Sequence, residues 1–369
     1  MSFIFEQMGS RDHEELIFCY DSETGLKAII AIHDTTIGPA LGGCRMWNYE
    51  NEEAALRDAL RLSRGMSYKA SIAGLNLGGG KAVIIGDSKK DKNEMLFRSF
   101  GRFVQGLAGR YITAEDVGTS VKDMEWVRME TRYVTGISRA LGGSGDPSPV
   151  TALGTYSGMK ATVKKRIGKD TLFGLNIGVQ GLGHVGYHLC RYLKKEGANL
   201  FVSDIDQDLI KRVAKDFDAI AIGLEDIYDA DIDIYAPCAL GATLNNETIP
   251  RLKCSIVAGA ANNQLKKESI HAQMLKDRDI LYAPDYAINA GGLINVANEI
   301  DGYNRERAFK QAEEGIYDTL LEIFDRSEED NVTTHDAALR VAKKRMEDLS
   351  KLKNIYLPKK NVMGKRDNN

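Results

Sequence analysis

The sequence predicts an α/β protein of two domains, and three observations lead there. The chain has 369 residues, enough for two domains on a soft expectation of roughly 150 residues each. Its first third mixes strand-like runs with amphipathic helices. From Asn176 onward, short apolar runs alternate with helical segments at the rhythm of βαβ units on a parallel sheet. The expected division is residues 1–140 plus 331–369 as a catalytic and oligomerisation domain, and 141–330 as a dinucleotide-binding domain.

Each element has its own justification. Leu26 to Thr35, "LKAIIAIHDT", is rich in Ile and ends in turn formers, so it reads as a strand. The stretch from Asn51 to Ala70 reads as a helix. Asn51 can cap it, Glu52 and Glu53 occupy its first turn, and Ala55, Leu56, Ala59, Leu60 and Leu62 give it an apolar side. A second helix around "KNEMLFRSFGRFVQGLAG" precedes a short strand in "RYITAEDVG". Near Gly142 the composition shifts to "ALGGSGDPSPVTALG", whose Pro147 and Pro149 mark a loop or hinge. A helix follows, and then the strand candidates "NIGVQG", "NLFVSD", "AIAIG", "IDIYAPC", "CSIVAGAA" and "ILYAPD". The region from Arg305 onward reads as helical, with a Thr333/Asp336 capping box, and ends in the charged run "KKNVMGKRDNN", expected to fray.

Composition excludes several classes. Hydrophobic residues at 43% and charged residues at 27% fit a globular enzyme, and a net charge of -3 gives no reason to expect nucleic acid or an anionic membrane as partner. The first 21 residues fit neither a signal peptide nor a membrane-spanning helix, so a cytoplasmic protein is expected. The five cysteines are scattered and form no C-x-x-C, which argues for reduced thiols. His184 and His188 have a metal-compatible spacing but no carboxylate or Cys companion, so no metal is expected.

The dinucleotide signal is Gly181-Leu182-Gly183-His184-Val185-Gly186, a G-x-G-x-x-G between a buried-strand pattern and an apolar helix. Gly181 permits the tight turn, Gly183 lets backbone approach a pyrophosphate, and Gly186 allows helix to pack on strand. The following strand ends in Asp204, whose carboxylate can accept both ribose hydroxyls and would repel a 2′-phosphate. NAD is the expected cofactor, although Lys211 and Arg212 lie further along the next helix.

A nicotinamide cofactor makes hydride transfer the natural chemistry. The first domain offers Lys69 in "GMSYKA", Lys81 in "GGGKA" and Asp116 in "TAEDVG". A phosphate loop at Lys81 fails, because the positions that need Gly and Ser or Thr hold Leu75 and Ala82. Clustered glycine also permits close approach of a ligand, which would put Lys81 at the mouth of a strand. Oxidising an amino acid at Cα needs a cation for the carboxylate, a base, and a proton shuttle for the water that attacks the imine. Lowering a lysine from its reference pKa of about 10.4 to near 7.5 costs about 4 kcal/mol. A second ammonium and a dry site would push it down, and Asp116 is expected to trade protons with water without pairing tightly with Lys81.

The motifs "GPALGGCRMW", "GMSYKA", "GLNLGGGKAVIIGD", "GRYITAEDVGT", "DPSPVTALG", "DIYAPCALGATLN", "AGAANNQL" and "YAINAGGLINVANE" occur in order from about residue 10 to about residue 350. Together they resemble the glutamate/leucine/phenylalanine/valine dehydrogenase family, and its leucine branch most. The resemblance implies that Lys69 binds the substrate carboxylate, Lys81 is the base that activates water, and Asp116 assists proton transfer. It further implies that Asn262 bridges substrate and nicotinamide and that Thr151 contacts the cofactor amide. An α/β catalytic domain would come first and a Rossmann-type domain second, separated by a cleft that closes, with the C-terminal helix packing back on the first. A homo-oligomer is expected from the apolar and amphipathic tail, and the family implies an octamer.

The positions matching the family's side-chain pocket are Leu41, Gly42, Ala114, Leu293 and Val296. A glutamate enzyme carries a lysine at the position of Leu41, and nothing here could compensate a buried γ-carboxylate. The expected reaction is therefore reversible NAD-dependent deamination of branched-chain L-amino acids. Leu293 stands where valine is more usual in that branch. His184 and Asp146 each replace a usual asparagine, and Gly186 replaces an alanine. Residue types alone leave an aromatic amino-acid dehydrogenase open. A cofactor-binding regulator without catalysis is the rival from another class, against which intact Lys69, Lys81 and Asp116 speak.

Overall fold

The computed structural model describes residues 3–239 and 241–352, so the "KKNVMGKRDNN" run lies outside the described residues. The chain forms two compact units. Among the described residues, the first comprises 3–145, 296–304 and 342–352, and the second 146–239, 241–295 and 305–341. Residues 331–341 thus group with the second unit and 296–304 with the first, a different partition from the one expected.

The first unit holds β1 (Glu15–Asp21), β2 (Leu26–Asp34), β3 (Ala40–Trp47), β4 (Gly78–Ile85) and β5 (Tyr111–Glu115), in the order β1-β2-β4-β3-β5. The β1–β2 and β2–β4 pairs are antiparallel, whereas β3 pairs in parallel with both β4 and β5. Its helices are α1 (Phe3–Gly9), α2 (Glu52–Ile72), α3 (Glu94–Gly106) and α4 (Val121–Arg128). Asn51 caps α2 as expected, its side chain accepting the Ala54 N–H at 2.8 Å. On one sheet face, Ala55, Leu56, Ala59 and Leu60 of α2 pack on Ile29, Ala31 and Val83. On the other, Phe97, Phe100 and Met124 of α3 and α4 cover Ile30, Cys44, Ala82 and Ile84. The pleat therefore assigns every strand residue to the α2 side or the α3/α4 side.

The second unit holds β6 (Asn176–Gln180), β7 (Asn199–Ser203), β8 (Ile220–Ala221), β9 (Ile234–Pro237), β10 (Ile256–Val257) and β11 (Leu281–Tyr282). All pairings are parallel, in the order β11-β10-β9-β6-β7-β8. Read from β6 as the first strand, this is the 3-2-1-4-5-6 order of the Rossmann fold, with the reversal between β6 and β9. The remaining helices are α5 (Ser148–Ile167), α6 (His184–Glu196), α7 (Gln207–Phe217), α8 (Glu268–Asp277), α9 (Asp285–Ile288), α10 (Gly291–Ala297), α11 (Arg305–Glu329) and α12 (Thr334–Ser350). Half of the expected capping box forms at the start of α12: Asp336 N–H donates to Thr333 Oγ1 at 3.1 Å, while the Asp336 carboxylate accepts from the Thr333 hydroxyl at 2.7 Å. Near its other end, Arg345 donates to the Leu75 carbonyl at 2.8 Å, closing the C-terminus of α2. No helix among the described residues is long and apolar enough to cross a membrane.

Candidate active site

Lys81 is the fourth residue of β4 and is 3% exposed, so it lies inside the strand and not at its mouth. The glycines before it are explained by packing. A Cβ on Gly79 would lie 2.1 Å from the Ser67 backbone nitrogen and 2.5 Å from the Ser63 carbonyl, both on α2. On Gly78 it would meet the Asp34 carbonyl at 1.9 Å, and on Gly80 the Tyr111 ring at 2.6 Å. The triple lets a helix and two strands close on β4, in place of the ligand approach expected from composition.

Alternation along β4 puts Gly79, Lys81 and Val83 on the α2 side. Leu41 of β3 and Ala114 of β5 share that side, as do Arg45 and Asp116, which directly follows β5. Lys81 Nζ pairs with Asp116 Oδ2. This corrects the expectation that the two would not pair tightly. The second cation at the pair is also a different one: Arg45 donates from Nε to Asp116 Oδ1 at 3.0 Å and from its other arm to Asp58 Oδ2 at 2.9 Å. Tyr49 O–H donates to the same Asp58 oxygen at 2.8 Å, and Arg61 holds the other oxygen at 2.9 Å.

The electrostatics follow from burial and these partners. Burial holds the Lys81 ammonium below its ordinary pKa, and the Arg45 charge works the same way, while Asp116 opposes both. For Asp116, burial is the largest influence and disfavours its charge. Lys81 and Arg45 together outweigh it, so the carboxyl titrates below its usual range.

The other expected substrate residues are distributed as follows. Lys69 lies in the last turn of α2, half-buried. Gly42 leaves no room for a side chain, since a Cβ there would lie 1.7 Å from the Gly80 carbonyl. Val296 is half-buried and belongs to the first unit, whereas Leu293, buried, belongs to the second. In the second unit, Asn262 is exposed and its Oδ1 accepts from Asn289 Nδ2 at 2.7 Å, and Thr151 Oγ1 donates to the Pro147 carbonyl at 3.0 Å.

The glycine turn between β6 and α6 separates its three glycines by purpose. Gly181 has φ +102°, and a Cβ there would sit 2.5 Å from the Ala239 nitrogen. A Cβ on Gly186 would meet the Gly181 carbonyl at 2.0 Å. Gly183 has no heavy atom within 4 Å of that position, so its bareness opens toward space. The first amides of α6, at His184, Val185 and Gly186, lie in the turn where a helix leaves N–H groups without intrahelical acceptors. Asp204 follows β7 and accepts the Leu182 N–H at 2.6 Å and the Asp206 N–H at 2.9 Å. Each oxygen keeps a lone pair for a hydroxyl donor. Open backbone, free amides and a carboxylate at this spacing fit a dinucleotide. Lys211 and Arg212 have other engagements, Lys211 with Asp208 at 3.3 Å and Arg212 over the Tyr187 ring at 4.1 Å.

His184 Nδ1 lies 3.5 Å from Asp146 Oδ2. No cluster of three potential metal ligands occurs among the described residues. Arg45, Asp58 and Tyr49 escaped the sequence reading. Their only sequence signal was an arginine inside the apolar motif "GPALGGCRMW".

Residues 13–133 match the family model for the Glu/Leu/Phe/Val dehydrogenase dimerisation domain, and residues 203–354 match that for Glutamate/Leucine/Phenylalanine/Valine dehydrogenase. The leucine dehydrogenase of Bacillus subtilis (strain 168) is 58% identical over 354 residues, covering 96% of this chain and 97% of the relative. An L-tryptophan dehydrogenase of Nostoc punctiforme is 51% identical over 350 residues, covering 95% of this chain and 98% of the relative. The crystal structure of L-tryptophan dehydrogenase from Nostoc punctiforme matches with a TM-score of 0.86 at 50% identity, covering 94% of this chain and 99% of that one. The chain belongs to the Glu/Leu/Phe/Val dehydrogenase family. It is an amino-acid dehydrogenase with a Rossmann-type domain for a nicotinamide cofactor.

Proposed function

We propose that this enzyme carries out reversible, NAD-dependent deamination of branched-chain L-amino acids, leucine first, to 2-oxo acids and ammonia. The observation that carries the reading is the pair of buried Lys81 and half-buried Asp116 on a sheet face shared with Leu41 and Ala114. It joins a proton-transfer couple to an apolar surface. Among the relatives, leucine dehydrogenases stand nearer in identity than the tryptophan and phenylalanine enzymes.

Lys69 holds the substrate carboxylate. A nicotinamide held by the second unit would supply the acceptor for the Cα hydride. Lys81, whose burial disfavours its ammonium, accepts a proton from the water that adds to the imine carbon, forming a carbinolamine. Asp116 passes protons to and from Lys81, and loss of ammonia leaves the 2-oxo acid. Leu41, Gly42, Ala114, Leu293 and Val296 are the residues we assign to side-chain recognition. Asn262 and Thr151 are those assigned to the nicotinamide end of the cofactor.

Two features of the second unit support NAD over NADP. The Asp204 carboxylate would repel a 2′-phosphate, and Lys211 and Arg212 are occupied by Asp208 and Tyr187. The exposed Ile205 beside Asp204 offers apolar cover for an adenine. The glycine turn takes the pyrophosphate on Gly183 and the first amides of α6. The enzyme works in the cytoplasm as a homo-oligomer, an octamer by family resemblance, assembled through the first unit.

The test is NADH formation at alkaline pH with NAD and L-leucine, L-valine, L-isoleucine, L-phenylalanine, L-tryptophan or L-glutamate. A branched-chain preference is expected. Turnover of aromatic substrates alone would overturn the assignment of Leu41 and Leu293. No turnover of any, with NAD still bound, would favour the non-catalytic regulator.

A further inference from the structure

Asp116 is held at two points by two different cations. Lys81 takes Oδ2, while Arg45 takes Oδ1, and the Val117 N–H also donates to Oδ1 at 2.7 Å. Arg45 is in turn fixed at its other arm by Asp58, itself bound by Tyr49 and Arg61. The Asp116 backbone N–H donates to Thr119 Oγ1 at 2.9 Å, so the carboxylate has little freedom to turn away.

We propose that Arg45 is a positioning residue that keeps Asp116 ionised and in place, so that Lys81 can give up its proton without leaving a buried carboxylate uncompensated. This role rests on the base function assigned to Lys81. A guanidinium suits it because it does not deprotonate in proteins and its fork reaches two carboxylates at once. When Lys81 is neutral, Arg45 still faces Asp116, and Asp58 balances Arg45. Without Arg45, Lys81 becomes the sole counterion, and removing its proton leaves a bare anion in a largely dry site.

The other titratable groups lie on both faces of the sheet around the pair. On the α3/α4 side, Cys44 of β3 and Tyr111 of β5 are buried, and burial keeps both protonated. On the α2 side, His33 of β2 bonds Ser67 at 2.7 Å, and burial lowers its imidazole. Tyr49 is held protonated by burial and by its bond to Asp58. Asp58 and Arg61 come from α2, as does Lys69 in its last turn, and Asp123 from α4 pairs with Lys92. Lys81 is the lysine at the pair whose ammonium burial disfavours.

The experiment is the pH dependence of kcat/KM for L-leucine oxidation in the wild type and in Arg45→Gln, Arg45→Lys and Asp58→Asn. The substrate ammonium titrates alike in all four, so differences belong to the protein. Arg45→Gln is expected to move the ascending limb to higher pH by about one unit or more. Arg45→Lys should restore much of that shift. Asp58→Asn leaves Arg45 to Asp116 alone and should move the limb the opposite way, to lower pH. A purely structural role would lower activity by one factor at all pH values, and that result overturns the inference. So does an unmoved limb in Arg45→Gln. If Arg45→Gln does not fold, an upward or absent shift in Asp58→Asn overturns it instead. Failure of the wild type to oxidise any amino acid would sink the functional reading, and this role with it, whereas turnover with unmoved limbs sinks this role alone.

Discussion

Two glycine-rich stretches lie beside parallel strands in this molecule, and they are glycine for opposite reasons. At Gly78–Gly80 every missing Cβ would collide with protein, from Asp34, from Ser67 or from Tyr111. At Gly181–Gly186 two of three would collide, but Gly183 faces open space. The first stretch is bare so that α2 and the neighbouring strands can close on β4 and bury Lys81. The second is bare at Gly183 onto open space, where the proposed dinucleotide would meet the backbone. Composition alone cannot tell these apart, because both read as small residues next to an apolar run.

The comparison can be broken by adding a methyl group to each stretch. Gly79→Ala places a Cβ against backbone atoms of α2 that cannot move aside singly. It should cost about 3 kcal/mol or more, seen as a lower midpoint in denaturant, with activity lost in parallel. A midpoint near wild type would mean that α2 does not need the close approach.

Acid should loosen the same region. Ser63 and Ser67, which line Gly79, are bonded to buried imidazoles, Ser63 to His13 Nε2 at 2.9 Å and Ser67 to His33 Nδ1 at 2.7 Å. Burial lowers both imidazoles, His13 to about 4. Below pH 6.5 the unfolded chain binds the proton that folded His13 refuses. The contribution is therefore complete above that pH and is lost as pH falls toward 4. From pH 7 to pH 5 the His13 share is about 2 kcal/mol, measurable as a fall in unfolding free energy. His13→Gln should flatten that slope, and an unchanged slope would exclude His13 as its source.

The smallest of these effects is expected at the second stretch. Gly183→Ala meets no protein atom, so unfolding should be nearly unchanged while NAD binds about tenfold more weakly, read by fluorescence titration. Destabilisation with unchanged NAD affinity would reverse the comparison.

The same contrast explains what the sequence could disclose. All six strand candidates of the second unit pair into one sheet, because each is a short apolar run between helices and needs no partner to be recognised. The β3 segment "ALGGCRMW" carries a glycine pair and the start of β4 a glycine triplet, both of which resemble loops, and only the sheet register fills the space their side chains vacate. Lys81 and Asp116 stood out as polar residues in apolar or glycine-rich settings. Their mutual pairing did not, since 35 residues separate them and the contact depends on β3 lying between β4 and β5. Arg45 stayed hidden for the same reason. It works through Asp58, on the helix covering that face, and through Asp116, beyond the neighbouring strand.

The central claim is that the buried lysine of β4 performs proton transfer on the substrate and does not merely hold the strand. Lys81→Met tests it most directly, with NADH formation from L-leucine measured beside thermal unfolding and NAD binding. In this variant kcat is expected to fall by about 10² to 10⁴, while the fold and the NAD affinity are retained. Near wild-type kcat in a folded, NAD-binding Lys81→Met enzyme would contradict it.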